Sequence, residues 1–256
     1  LNSLGGLWNS DGHYEEAQAS FERALALWQQ VRGPRNPQIA GFHSNLGIAL
    51  IQRGAYAEAL KHVQVAQELW EEALGPEHPN LVYALISRGM VLWKLERPGE
   101  AIAPLERALA LIDKQLGPEH PFRTEPLTLL GSVLVDLGRF PEAEARQQQA
   151  LALKEKVLGA EHPSIADSLF GLGRMRRLQG RASEALPLLE RALTLTRPQE
   201  SSRAEVQFEL AQALWSLGTT PARARELATE AHAYWQQLGH PEQARTQQWL
   251  ATHTGP

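Results

Sequence analysis

Apolar and small residues recur along this chain at helical spacing, and the whole arrangement returns with a fixed period. Leu46-Gly47, Leu130-Gly131 and Leu172-Gly173 repeat the Leu4-Gly5 near the start. A glycine follows at 12, 54, 138 and 180, and an aromatic two positions later at Tyr14, Tyr56 and Phe140. Alanine then falls at 17, 59, 143 and 185, and again at 24, 66, 150 and 192. Gly89, Ala101 and Ala108 continue the series, although Glu96 and Pro98 replace its turn glycine and aromatic. Small residues at fixed points on two successive helices let the backbones approach closely, and Leu and aromatic neighbours fill the gaps. Glu15, Glu58, Glu100, Glu142 and Glu184 fall in the first turn of each second helix, at the positive end of its dipole. No stretch is rich in strand-forming residues.

Between these units stands a punctuation mark. Leu74-Gly-Pro-Glu-His-Pro79 recurs as Leu116-Gly-Pro-Glu-His-Pro121, as Leu158-Gly-Ala-Glu-His-Pro163, and in a worn form as Arg32-Gly-Pro-Arg-Asn-Pro37. The glycines at 33, 75, 117 and 159 are 42 residues apart. Glycine suits the left-handed position just past a helix end, and proline suits the first turn of the next helix. His78, His120 and His162 therefore read as turn or cap residues. A whole repeat separates them, too far to share a metal ion. The pattern predicts helix pairs at about 1–10/14–32, 37–53/56–74, 79–95/99–116, 121–137/141–158 and 163–179/183–197. Pro104, Pro126 and Pro187 lie inside these helices, where small kinks are expected. The sixth pair is degenerate, with Leu210-Ala211 for Leu-Gly and Thr219-Thr220-Pro221 after Gly218. A last helix over about 241–253 has Trp249 and Leu250 on one side and Gln243, Arg245, Gln247 and Gln248 on the others. That suits a cap closing a stack.

A period of this length with helical sequence between the marks implies one elongated array of stacked hairpins rather than two ordinary domains. Composition changes the picture little. A net charge of −4 argues against a general nucleic-acid binder, and no apolar run approaches the length of a membrane span. The absence of cysteine excludes disulfides and thiolate chemistry. No signal peptide opens this sequence and no glycosylation sequon occurs in it, so a cytoplasmic setting is the default expectation. By register Leu1 falls inside the first helix, so the chain reads as excised from something longer.

The Leu-Gly, turn-Gly, aromatic, Ala, Ala pattern resembles the tetratricopeptide repeat. Its length and its Leu-Gly-Pro-Glu-His-Pro linkers are similar to the kinesin-light-chain type, which also occurs in arrays of signalling NTPases. The resemblance implies an all-α fold, a right-handed α-solenoid of antiparallel helix hairpins. It would comprise about six repeats over 1–36, 37–78, 79–120, 121–162, 163–199 and 200–240, and a capping helix and tail over 241–256.

The resemblance also implies that the first helix of each repeat lines a concave groove. The stripe it would present is Gly41, Ser44, Asn45, Ile48, Ile51 and Gln52 in repeat two, and Tyr83, Ile86, Ser87, Met90, Trp93 and Lys94 in repeat three. Repeat four gives Glu125, Thr128, Leu129, Ser132, Val135 and Asp136. Repeat five gives Asp167, Phe170, Arg174, Arg177 and Leu178, and repeat six Glu205, Phe208, Glu209, Gln212, Trp215 and Ser216. Asn45 stands where kinesin-light-chain repeats tend to carry an asparagine that bonds a ligand's backbone. Ser87, Leu129, Gly171 and Glu209 replace it in the later repeats.

Candidate ligand residues are thus Asn45, Gln52, Met90, Trp93, Lys94, Asp136, Phe170, Arg174, Arg177 and Trp215. Arg174 and Arg177, one turn apart, read either as an anchor for an acidic segment or as part of an internal network with Asp136, Glu205 or Glu209. Trp93 and Trp215 share one register, open to groove contact or packing. Trp28, Trp70 and Trp235 share another that reads as structural. Arg88 and Arg176 stand where apolar residues are usual and are expected to snorkel.

Catalytic signals are lacking. There is no phosphate-binding loop and no His-Glu-x-x-His, and Arg176 stands where a dinucleotide motif beginning at Gly171 needs its third glycine. No cofactor, metal, nucleic acid or membrane is expected. The reading is a non-enzymatic interaction module holding a peptide or partner helix, as a scaffold or adaptor. The alternative is a sensor or autoinhibitory domain of a larger regulatory NTPase or effector, bound to another part of its own polypeptide.

Overall fold

The packing is built from short-range pairs: within each of two compact units, each helix packs chiefly on the helices just before and after it. The computed structural model describes residues 6–8, 13–34, 36–197, 201–238, 240 and 242–254. The Leu4-Gly5 pair and Gly12 lie outside them. The described residues contain helices and no strand. They form two compact units, 1–137 and 138–256, so the fourth repeat contributes one helix to each.

The first unit holds α1 (Tyr14–Arg32), α2 (Pro37–Gln52), α3 (Tyr56–Leu74), α4 (Asn80–Lys94), α5 (Pro98–Leu116) and α6 (Thr124–Asp136). The second holds α7 (Phe140–Leu158), α8 (Ala166–Leu178), α9 (Ala182–Leu195), α10 (Ser201–Leu217), α11 (Pro221–Leu238) and α12 (Glu242–Thr252). A 3-10 turn, Pro121–Arg123 or Pro163–Ile165, precedes α6 and α8 where continuous α-helix was expected. Such tightened first turns are common at helix N-termini. α5 and α9 run through Pro104 and Pro187, as the sequence pattern implied.

The repeated small residues sit at the helix crossings. Ala17, Ala59, Ala101, Ala143 and Ala185 are wholly buried. A Cβ on Gly47 would lie 2.7 Å from Val63, one on Gly89 2.5 Å from Leu105, and one on Gly173 2.6 Å from Leu189. The Leu-Gly signature is therefore a contact surface: each of these three glycines receives the side chain that projects from the second helix of its own pair. In the sixth pair Ala211 serves instead of glycine and is itself wholly buried.

The linkers differ in one respect from expectation. Gly33, Gly75, Gly117 and Gly159 have φ of 82° to 91° with ψ of 157° to 164°, not the left-handed helical pair of angles. That region is essentially closed to residues with a Cβ, so the demand for glycine is stricter than a left-handed cap imposes. The histidines do cap. The Nδ1 atoms of His78, His120 and His162 accept from the backbone N–H two residues on, each at 3.2 Å. Asn36, in the worn copy, does the same with its Oδ1 at 3.0 Å. His240 repeats the bond to Glu242 at 3.3 Å, which reveals Leu238-Gly-His-Pro241 as a contracted copy missed in the sequence pattern.

Where Glu96 replaces the turn glycine, the backbone keeps the glycine geometry, with φ +58°. A left-handed conformation costs a residue with a Cβ about 1–2 kcal/mol, partly offset by glycine's greater freedom in the unfolded chain. Glu96→Gly is therefore expected to stabilise the protein by up to about 1 kcal/mol in urea denaturation. Destabilisation by the same amount would show that the Glu96 side chain holds the turn.

Candidate interaction groove

A concavity lies in the first unit. Gly41, Ser44, Asn45 and Ile48 on α2 form one wall, with Trp70 at the end of α3 and Asn80 and Tyr83 on α4, enclosing about 360 Å³. Four of the six stripe residues expected in repeat two thus line it together. Of the other two, Ile51 packs half-buried against the core and Gln52 is exposed. Tyr83 is 54% exposed at the mouth. Trp70, read as structural, is both: it is buried against the core and lines the cleft. Asn80 was missed; its place just past the Glu-His-Pro mark, at the start of a groove-lining helix, was the available signal. The result is an apolar slot with Asn45 and Asn80 beside it. An asparagine amide offers two donors and an acceptor, which matches a peptide backbone.

Further along the same unit, Trp93, Lys94 and Asp136 come together. The Trp93 indole donates to the Asp136 carboxylate at 2.6 Å, and the Lys94 ammonium lies 4.9 Å from the centre of the Trp93 ring. The contact ties the ends of α4 and α6. Met90 is half-buried on α4, one turn before Lys94.

Next to the cleft, α2 and α3 are joined by two histidines. The Nδ1 atoms of His43 and His62 are 2.8 Å apart and their rings stack at 5.1 Å. Burial, and secondarily His62, pushes the His43 imidazole down from 6.5 to about 4. Burial also lowers His62, against Glu58 and Glu22, which favour its charged form, while Lys61 opposes it.

In the second unit both candidate arginines turn to one carboxylate. Arg177 Nε lies 2.5 Å and Arg174 Nε 3.5 Å from Glu209, whose side chain is only 5% exposed. Of the two roles left open for this pair, the structure displays the internal one, linking α8 to α10. Asp136 instead bonds Trp93. Phe170 is half-buried against the unit's core. Trp215 lies edge-on to Trp249 at 5.6 Å and to His253 at 5.0 Å, so α12 and the residue after it cover its ring. Arg88 and Arg176 do not merely snorkel: Arg88 donates to Gln67 at 3.1 Å, and Arg176 pairs with Glu144. Their register positions are polar because Gln67 and Glu144 supply partners.

No group of three or more metal-ligating side chains converges among the described residues, and no described helix is long and apolar enough to cross a membrane. The family model for the tetratricopeptide repeat matches residues 1–64, 38–114, 89–156 and 122–197. This chain belongs to the tetratricopeptide-repeat (TPR) family. It is similar to the crystal structure of a candidate kinesin light chain of Podosopora anserina with nearly identical TPR-like repeats. The two are 26% identical over 79% of this chain and 98% of the other, with a TM-score of 0.59. BtubC (BKLC) from P. vanneervenii is 18% identical over 89% of this TPR chain and 94% of its own, with a TM-score of 0.66. A Rap protein solved with Competence and Sporulation Factor is 14% identical over 98% and 73%, with a TM-score of 0.67. At those identities the last two show a shared fold. A search of curated proteins gives no match. Membership places the chain among protein–protein interaction modules, whose fold is generally non-catalytic.

Proposed function

We propose that this TPR array holds a protein partner by an extended peptide or helix seated in the cleft of the first unit, in a scaffold or adaptor role. The observation that carries the reading is the cleft itself. An apolar slot walled by Ile48, Trp70 and Tyr83, with Asn45 and Asn80 beside it, is the mixture peptide sites use: large apolar contacts and a few placed polar groups. Trp93, Lys94 and Asp136 form a polar ledge on the same unit that can extend the contact. In the second unit we assign Arg174 and Arg177 to Glu209 rather than to a ligand, because a nearly buried carboxylate needs both guanidiniums.

Gly41 provides the test. A Cβ there meets nothing within 4 Å, so a larger side chain fills the cleft without straining the helix. Peptides selected from a displayed random library on the wild-type protein are expected to bind Gly41→Leu at least about tenfold more weakly, with melting not lowered. A tenfold loss corresponds to about 1.4 kcal/mol, less than the burial of one large apolar side chain. Equal binding by the two proteins refutes the cleft as the site.

A further inference from the structure

The two histidines beside the cleft are not needed to build it. In register with His43 and His62 the next three repeats carry Leu85 and Pro104, Leu127 and Arg146, and Leu169 and Leu188. His43 precedes Ser44 and Asn45 on α2, and His62 lies two turns before Trp70 on α3, so the pair stitches together the two helices that share the cleft wall. With Nδ1 atoms 2.8 Å apart, one ring must donate and the other accept, which requires the accepting imidazole to be neutral. One proton can sit on the donor ring with the bond kept; a second removes the acceptor and places like charges in contact.

We propose that the His43–His62 pair is an acid-sensitive latch on the cleft, holding α2 against α3 at neutral pH and releasing them on acidification. The proposal rests on the reading of that cleft as the partner site and gives it a regulation: partners bound at neutral pH are let go in acid.

The sign follows from linkage. The closed form keeps His43 neutral down to about pH 4, whereas an opened form takes up the proton near 6.5. Opening therefore becomes easier as the pH falls below about 6.5, and the change is complete near 4. The neighbours modulate this without reversing it. Glu22 on α1 and Glu58 on α3 favour the imidazolium at His62, and Lys61 on α3 opposes it. Arg88, the nearby cation of α4, is engaged with Gln67.

Hydrogen exchange of the whole chain tests the latch with no ligand. After correction for the intrinsic pH dependence of exchange, amides of residues 41–48 and 59–70 are expected to lose protection about tenfold between pH 7.5 and 5. The helices of the second unit serve as the internal reference and are expected to change little. His62→Gln, at the half-exposed member of the pair, should reduce the response by removing the like charge, and His43→Gln, which removes the imidazole shifted chiefly by burial, should reduce it further if it folds. An unchanged wild type, or the same acid response in His62→Gln, overturns the latch. Failure of the cleft as a partner site would appear in the Gly41→Leu comparison and leave the exchange result intact, so the two are separable.

Discussion

Glu209→Gln is expected to destabilise the second unit by about 3 kcal/mol, the larger of the two effects argued here. Glu209 is almost wholly buried and meets two guanidiniums that are 15% and 25% exposed. Breaking a buried ion pair by removing one partner costs about 3–5 kcal/mol, because the remaining charge is left in a poor solvent. The partial exposure of both arginines puts this case at the lower end. Arginine remains charged at any accessible pH, so the variant cannot relieve itself by deprotonation. The comparison that isolates the mechanism is the triple replacement Glu209→Leu, Arg174→Met and Arg177→Met. It removes every charge of the cluster and is expected to recover much of the loss, since apolar groups of similar volume often replace buried ion networks at little cost. Urea denaturation of the two proteins gives the answer. A Glu209→Gln change below about 0.5 kcal/mol, the range of ordinary surface substitutions, would show that the carboxylate is not holding these arginines.

Gly89→Ala should destabilise by about 2 kcal/mol, and the sign is the informative part. Helix propensity alone says the opposite: alanine is better than glycine in a helix interior by about 1 kcal/mol. The added methyl would sit 2.5 Å from Leu105 Cγ, 2.6 Å from Cδ2 and 3.2 Å from Cδ1. Leu105 is wholly buried and has nowhere to withdraw, so the crossing must spread. Overpacking of this kind costs about 1–3 kcal/mol even after relaxation. Gly41→Ala, on the neighbouring first helix, meets open space and should follow propensity, gaining up to about 1 kcal/mol. Two alanines at glycine positions with opposite signs, read by thermal or urea melting, would confirm that the Leu-Gly signature is a steric requirement. Equal gains at both positions would remove that account.

Most of the fold was legible because it is written several times. Positions 17, 59, 101, 143 and 185 carry the same small residue for the same crossing, so one repeat corrects the noise in another. The cap bonds of His78, His120 and His162 were legible for the same reason. The candidate site was legible where it depends on a local stripe: Gly41, Ser44, Asn45 and Ile48 are one helix face and fall into one cleft. It was opaque where a partner lies a repeat away. Arg174 and Arg177 look alike as ligand anchors or network members until Glu209, 32 residues beyond Arg177, is placed against them. Glu209 sits in the degenerate sixth pair, where register is hardest to carry forward. Trp70 was opaque for another reason: its register identified the buried face of the ring, but a ring that large has a second face. Trp215 is the converse, a groove register whose ring is covered by residues from α12 onward.

The polar departures from the repeat have a consequence for how the chain finds its own structure. A stack of interchangeable parts is open to misregistration, in which a first helix pairs with the second helix of another repeat, one period out. The 42-residue spacing makes every such error look locally correct. Gln147 breaks this ambiguity, standing in register with Phe21, Val63, Leu105 and Leu189. It is wholly buried with its amide packed against Gly171, a position that is Asn45 or Ser87 in earlier repeats, where a Cβ would come within 2.4 Å of that amide. Lys154 falls where Trp28, Trp70 and Ile112 fall, and its ammonium bonds Ser168, which takes the place of Phe42 and Ala84. Moved by one period, each of these side chains would meet a partner that cannot accept it. The buried amide and the buried lysine thus act as addresses that mark their repeat as fitting one neighbour and no other, and the His43–His62 pair matches the two helices of its own repeat.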